Sequence, residues 1–199
     1  MKKIIGDKAI KRQPVYLGPM RWEAVLKRIP ENIEITGVEI GVLLGETAFR
    51  ILSQRPLVKH FMVDPWVVQP RDSAFVKSGD NCSKKPQSYH NTAYDYTVKR
   101  MIQFGKRAKI LRLYSRDAAP LFPNSSLDYV FIDGDHSYEG VKNDILLWLP
   151  KIKKGGWIGF HDYGMIVNPR VTGVKQAVSE YFHDRIIEED VEDTAFIRV

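Results

Sequence analysis

The sequence predicts a doubly wound α/β fold, with a mostly parallel sheet, helices on both faces and an antiparallel strand at the C-terminal end. Three observations carry this. Short apolar runs end abruptly in polar residues, as in Tyr129-Val130-Phe131-Ile132 before Asp133 and Trp157-Ile158-Gly159-Phe160 before His161. The segments between such runs repeat their apolar residues at 3.6-residue spacing, which is the period of a helix with one buried face. Strand, helix and strand in alternation, with connections this long, make neighbouring strands parallel through right-handed crossovers.

In chain order, residues 1 to about 20 are polar and broken by Gly6, Pro14, Gly18 and Pro19, an arm or short lid. A helix is expected from Arg21 to Arg28, with Trp22, Val25, Leu26 and Ile29 on its apolar side. Pro30 stops it, because proline lacks the N–H that a helix interior needs. Ile35 to Ile40 is the first strand, followed by a Gly41-x-x-x-Gly45 turn and a helix through Ala48, Phe49, Ile51 and Leu52. Glycines there permit positive φ and close backbone approach, and the helix start offers free N–H groups. Glu39, at the end of an apolar strand, has no evident structural reason.

His60 to Val63 is a second strand, ending in Asp64-Pro65-Trp66. Residues 67–88 have no sustained period and contain Pro70, Gly79 and Pro86, so an irregular lid loop is expected. A helix is read over Tyr89–Phe104, a third strand over Ala108–Tyr114 with Ser115-Arg116-Asp117 at its end, and a short helical turn over Ala118–Phe122. Val141, Ile145, Leu146, Trp148, Leu149 and Ile152 form one broad apolar face of the helix between the two central runs. Val174, Ala177, Val178, Tyr181 and Phe182 mark a last helix. Residues 185–188 and 195–199 read as closing strands, with 189–193 as their turn.

The 199 residues, 44% hydrophobic and 27% charged, are read as one domain over 1–199, with 1–30 as arm and helix. The net charge of +6 is spread out, which disfavours a nucleic-acid partner. Cys82 is the lone cysteine, excluding an intrachain disulfide and a thiolate zinc cluster. The N-terminus lacks an apolar secretory core, and no apolar run approaches the ~18 residues of a membrane span. The expectation is therefore a cytoplasmic protein without a membrane partner.

The strand ends gather the chemistry. Asp133, Asp135 and His136 follow one central strand, and His161 and Asp162 follow its neighbour, where open α/β sheets bind ligands. Asp133 and Asp162 can converge on a hard cation such as Mg²⁺. Neither has a cationic partner in its own motif, so the paired acids are expected to repel one another unless an ion joins them. Asp135, His161 and His136 are the candidate general bases. The bland reading is that Asp135 or Ser137 caps the next helix and Asp133-Gly134 is a turn. Asp64 likewise could simply open an Asp-Pro turn.

VEIGVLLGET, VDPW, FIDGDHSYEGVKNDILLW and GGWIGFHDY, in that order, resemble a class I S-adenosylmethionine-dependent methyltransferase. More narrowly, they are similar to the compact group related to macrocin O-methyltransferase and cephalosporin-hydroxylase-like proteins. The resemblance covers about residues 33–199 and leaves the arm and the 67–88 loop unmatched. It implies a Rossmann-like methyltransferase sheet with a final antiparallel strand. It implies that Glu39-x-Gly41 holds the methionine part of the cofactor, with Gly45, Thr47 and Asp133 also in contact. Asp64 would take the ribose hydroxyls, and Ser115 to Asp117, Arg116 included, would lie beside the adenine. Metal-dependent relatives place two acidic or amide ligands after the fifth strand, whereas this chain has His161-Asp162. Histidine is a softer ligand, better suited to Mn²⁺, Fe²⁺ or Zn²⁺ than to Mg²⁺, so a divalent ion, Mg²⁺ or Mn²⁺, is expected with Asp133, His161 and Asp162 as ligands.

The activity expected from the resemblance is O-methylation of a small-molecule or sugar hydroxyl with divalent-metal assistance; homodimer formation is left open. The competing readings are a non-catalytic or NAD-type nucleotide-binding module and an RNA methyltransferase. The Gly-x-x-x-Gly spacing differs from the Gly-x-Gly-x-x-Gly of dinucleotide binders, and no Tyr-x-x-x-Lys pair is expected near the cleft. No aromatic-basic stacking module points to RNA.

Overall fold

A seven-stranded sheet in the order β3-β2-β1-β4-β5-β7-β6 forms the centre of the computed structural model. The structure describes residues 20–78, 80, 82–164 and 173–199; the expected arm before Met20 lies outside them. The strands are β1 (Ile35–Ile40), β2 (Val58–Val63), β3 (Ala108–Leu111), β4 (Leu127–Ile132), β5 (Ile152–Phe160), β6 (Glu188–Asp190) and β7 (Thr194–Arg198). Strands β1 to β5 run parallel, and β7 is antiparallel to both β5 and β6. The chain leaves β1 for β2 on one side and later returns to β4 on the other. The carboxyl ends of β1 and β4 therefore flank a crevice, the usual ligand position in such sheets.

Helices α1 (Arg21–Leu26), α2 (Glu46–Gln54) and α4 (Gln87–Met101) cover one face of the sheet; α6 (Tyr138–Trp148) and α7 (Gly173–Tyr181) cover the other. Alternation along β1 explains the division, since successive side chains point to opposite faces. Val38 and Ile40 pack with Ile145 and Trp148, while Ile35 packs with Val25 and Leu26. Ile145 is fully buried in the larger cluster, where truncation to alanine typically costs about 2–5 kcal/mol.

Helix α6 begins where Ser137 accepts a hydrogen bond from Gly140 N at 3.1 Å, an N-cap that satisfies one orphan donor. Its apolar face is narrower than the sequence pattern implies, because Leu146 is half exposed. Helix α1 also ends early, at Leu26. Arg55 explains this by reaching across to the carbonyls of Leu26 and Ile29 at 3.1 and 3.0 Å, which satisfies acceptors at that end.

The 67–88 segment is less irregular than its sequence suggests. It carries a five-residue helix, α3 (Ala74–Ser78), entered at Ser73, whose hydroxyl accepts from Val76 N at 3.2 Å. Helix α4 then starts at Gln87, two residues before the expected position, because the Gln87 amide ties Val68 N and Trp66 O to its first turn. Strand β3 is shorter than expected, and α5 (Ser115–Ala118) follows it. The closing hairpin forms with its first strand at 188–190 instead of 185–188, because β6 pairs Glu188 with Phe196 and Asp190 with Thr194.

Candidate active site

The end of β1 meets the end of β4 at very close range. Gly41 has φ +82°, and a Cβ there would lie 2.1 Å from the carbonyl oxygen of Asp133, so only glycine fits. Asp133 N donates to Ile40 O at 2.8 Å, holding the two strand ends together. Gly45, φ +65°, begins α2 without a side-chain cap, so no side chain occupies the first-turn N–H groups. Thr47 is buried in the first turn of that helix.

Asp64 braces this turn from β2. Its Oδ2 accepts from Val42 N and Leu43 N at 2.9 and 3.0 Å, and its Oδ1 accepts from Trp66 N at 2.7 Å. A carboxylate has roughly four acceptor positions, so three backbone donors leave capacity for one further hydrogen bond. Glu39 is 2% exposed and accepts from His60 Nε2 at 3.2 Å. Burial pushes its carboxyl pKa up, and His60 opposes that shift.

The ends of β4 and β5 bring Asp133, His136, His161 and Asp162 into one cluster. His136 Nδ1 lies 3.0 Å from Asp162 Oδ2, and His161 Nδ1 lies 3.2 Å from both Asp133 Oδ1 and Asp162 Oδ1. Asp162 holds its position with φ +58°, a left-handed conformation that aspartate tolerates better than most residues. Ligand atoms from Asp133, His136 and Asp162 all fall within 4.8 Å of one another. His136 Nε2 and Asp162 Oδ1 are buried without a hydrogen-bond partner among the described residues, so polar capacity points into the cluster.

The paired acids do have cationic partners. Arg21, from the start of α1, places Nη1 2.9 Å from Asp133 Oδ2, and its guanidinium also lies 3.2 Å from His161 Nδ1. The expectation of two unneutralised acids is thus corrected: His136 and His161 from the same two motifs face both acids, and Arg21, from far away in the chain, adds a third partner for Asp133. Burial alone would raise the Asp133 pKa, but His161 and then Arg21 hold it well below the usual range. Burial lowers the His161 pKa, yet Asp133 and Asp162 outweigh it and carry the group up to about 10. His136 is also raised against its burial, by Asp133 and Asp162.

Other candidates fall elsewhere. Asp135 lies on the turn into α6, where its Oδ1 accepts from Ser137 N at 2.9 Å. Ser115 Oγ donates to Asp144 and accepts from Trp148 Nε1, which commits its hydroxyl to α6. Arg116 is exposed over the Tyr114 ring. Sequence reading missed Arg21 and also Asp80 and Phe75, which the 67–88 segment sets 3.7 and 6.4 Å from His136. It also overlooked a Tyr-x-x-x-Lys spacing at Tyr138 and Lys142. The structure commits that pair to the α6–α7 surface, where Tyr138 Oη donates to Glu180.

A doubly wound sheet whose switch-point ends join a glycine turn, the acid Asp64 and an acid–imidazole cluster has the layout at which open α/β proteins bind ligands. The chain belongs to a methyltransferase domain family, whose model matches residues 38–163. Among curated proteins, uncharacterized protein R132 of Acanthamoeba polyphaga mimivirus is 29% identical over 138 residues, covering 67% of this chain and 53% of that protein. The chain thus spans about half the length of the curated relative it matches. The solved O-methyltransferase NovP superposes with a TM-score of 0.69 at 18% identity, over 89% of this chain and 78% of that one. CalS11, a calicheamicin methyltransferase, gives 0.65 at 15% identity, over 89% and 76%. These likenesses show the Rossmann-like methyltransferase fold. No helix among the described residues is long and apolar enough to cross a membrane.

Proposed function

We propose that this chain transfers a methyl group from S-adenosylmethionine to the hydroxyl oxygen of a small molecule or sugar. The observation that carries the reading is the contact between the Gly41 turn and Asp133, which sets the glycine turn at the end of β1 directly against the Asp133–His136–His161–Asp162 cluster. Family membership supports the methyl-transfer class, and the O-methyltransferase NovP supports oxygen as acceptor.

The residues fit the cofactor. Glu39 offers a carboxylate for an ammonium group, the uncapped start of α2 offers N–H donors, and Asp64 retains acceptor capacity for a ribose hydroxyl. The cofactor's sulfonium supplies an electrophilic methyl group that needs little activation. The protein's work is then to position the acceptor and take its proton. His136 suits proton removal, because Asp162 Oδ2 at 3.0 Å from Nδ1 and Asp133 Oδ1 at 3.5 Å from Nε2 fix the ring and make it more basic against its burial. Phe75 and Asp80, from the 67–88 segment, close over that imidazole and favour exclusion of water.

A second reading assigns the cluster to a divalent ion. Asp133, His136 and Asp162 would hold it, a mixed oxygen and nitrogen donor set suited to Mn²⁺, and it would lower the pKa of an acceptor hydroxyl. An NAD-type or RNA-directed activity has less support, as the Gly-x-x-x-Gly spacing and the dispersed positive charge indicate. Calorimetry separates these classes. S-adenosylhomocysteine is expected to bind at micromolar affinity and NAD not at all; tight NAD binding with no response to S-adenosylhomocysteine would overturn the proposal.

A further inference from the structure

Beneath the Gly41 turn, three polar side chains cross the interior of the sheet in a single line. Tyr129 on β4, His60 on β2 and Glu39 on β1 are 4%, 0% and 2% exposed. Tyr129 Oη lies 2.6 Å from His60 Nδ1, and His60 Nε2 lies 3.2 Å from Glu39 Oε2. Both neighbours of Gly37 in the register belong to this line, His60 on one side and Tyr129 on the other. A Cβ at Gly37 would sit 2.0 Å from Tyr129 Cζ, so the glycine is what lets the phenol lie across β1 and reach the imidazole.

The direction of the line follows from donor chemistry. An ionised carboxylate only accepts, so His60 Nε2 carries the proton that faces Glu39. With a neutral imidazole, Nδ1 accepts, and the Tyr129 hydroxyl donates to it. Every donor then points towards Glu39, and no second charge has to be buried. Among the described residues, His60 is the one hydrogen-bonding partner of the Glu39 carboxylate, and it occupies Oε2 alone. The other oxygen has no hydrogen-bond partner among the described residues.

We infer that His60 and Tyr129 are positioning residues, which hold the Glu39 carboxylate ionised and aimed so that its second oxygen receives the ammonium group of the bound cofactor. The inference rests on the cofactor reading above and adds to it two residues in a layer below the crevice. A purely structural chain would be replaceable by apolar side chains of the same shape. A relay that serves Glu39 would not be, because its loss lets the buried carboxylate take up a proton or turn aside.

The test compares two ligands that differ only in the part Glu39 faces. S-adenosylhomocysteine carries the amino-acid group, and 5′-methylthioadenosine lacks it. Calorimetry should show His60→Leu weakening S-adenosylhomocysteine by about ten- to a hundredfold, the range for a hydrogen bond to a charged group, with methylthioadenosine little changed. His60→Gln, which restores a donor near the Nε2 position, should recover much of the loss. Tyr129→Phe should give a smaller loss with the same ligand selectivity. In a Glu39→Gln background, His60→Leu should cost nothing further, because the two act as one unit. Equal losses for both ligands, or additive losses in the double variant, would reduce the line to a structural role. If wild-type protein binds neither ligand, the cofactor reading itself fails, and the relay's role in cofactor binding fails with it. Should His60→Leu not fold, Tyr129→Phe and His60→Gln carry the same comparison.

Discussion

Arg21 Nη1 lies 2.9 Å from Asp133 Oδ2, an ion pair that joins the start of α1 to the end of β4 across 112 positions of sequence. It makes the N-terminal helix part of the site's electrostatics. Asp133 also lies 3.2 Å from His161, so one carboxylate answers two cations and stays ionised well below its ordinary pKa. Arg21 N is itself fixed by Glu192 at 2.6 Å, in the turn before β7. Two distant parts of the chain thus set the charge of the crevice.

This arrangement predicts competition between Arg21 and a divalent ion for Asp133. Arg21→Met should release Oδ2 and strengthen Mn²⁺ binding several-fold, read by calorimetry or by the loss of free Mn²⁺ resonance signal. The stability cost should be about 1 kcal/mol, since the Arg21 side chain is 30% exposed and the pair is partly screened. Unchanged or weaker Mn²⁺ binding in the variant would show that Arg21 is part of the site and not a rival to the ion.

His136 separates the two mechanistic readings. If the cluster holds an ion, His136→Gln should weaken Mn²⁺ binding at least about tenfold, the scale expected when one ligand of a three-ligand set is lost. If His136 serves as the base, methyl transfer, once an acceptor is known, should persist after exhaustive chelation and collapse in His136→Gln by about 10²–10⁴-fold. Activity that survives both chelation and His136→Gln would leave His161 as the remaining imidazole of the cluster.

Asp64 has two roles, bracing and binding, and they can be separated. It accepts from three backbone N–H groups in the Gly41 turn and the following Asp-Pro turn, so Asp64→Ala leaves these donors without their partner. Destabilisation of about 1–3 kcal/mol is expected from that loss. S-adenosylhomocysteine binding should weaken as well, and Asp64→Asn should restore part of the stability but little of the affinity. Urea midpoints and calorimetry measured on both variants check this; parallel recovery of the two properties would mean that Asp64 braces the turn and does not touch the ligand.

Much of the scaffold was legible in the sequence because each strand announces itself locally. Tyr129–Ile132 and Trp157–Phe160 are apolar, short and followed at once by acidic or imidazole groups, and parallel pairing of β4 with β5, Ile132 opposite Phe160, then brings Asp133 together with His161 and Asp162. The distant partners of those acids were not legible. Arg21 opens a periodic helix but on its polar side, and Asp80 sits in a polar segment without periodicity, so nothing local distinguishes either from a solvated surface residue. Glu39 was recognisable as unusual, but its reason required the register that sets His60 and Tyr129 on either side of Gly37. Leu146 shows the opposite failure: it fits the helical spacing of α6 yet lies at the edge of the stripe, where the neighbouring elements do not reach. Ser115 follows β3, and the tie of its hydroxyl to Asp144 and Trp148 on α6 likewise has no local sequence signal.

That last pair yields a pH dependence for folding. Asp144 is 6% exposed, and burial pushes its carboxyl up to about 7; the Ser115 hydroxyl opposes the shift, and the Asp135 charge adds to it. The ordinary value for the group is 3.8. Between those two values the native protein holds a proton that the unfolded chain has released. Unfolding then becomes easier as pH rises through this window, because the native state binds more protons than the unfolded state. Asp144 thus contributes most favourably below its unfolded pKa, and the contribution is lost as pH rises towards about 7. Asp144→Asn keeps an acceptor for Ser115 without the ionisation. The variant should match wild type near pH 4 and exceed it near pH 8, with the difference growing between them. Urea unfolding midpoints of both proteins across that range provide the measurement. A difference that stays constant with pH would show that Asp144 ionises in the fold as readily as in the unfolded chain.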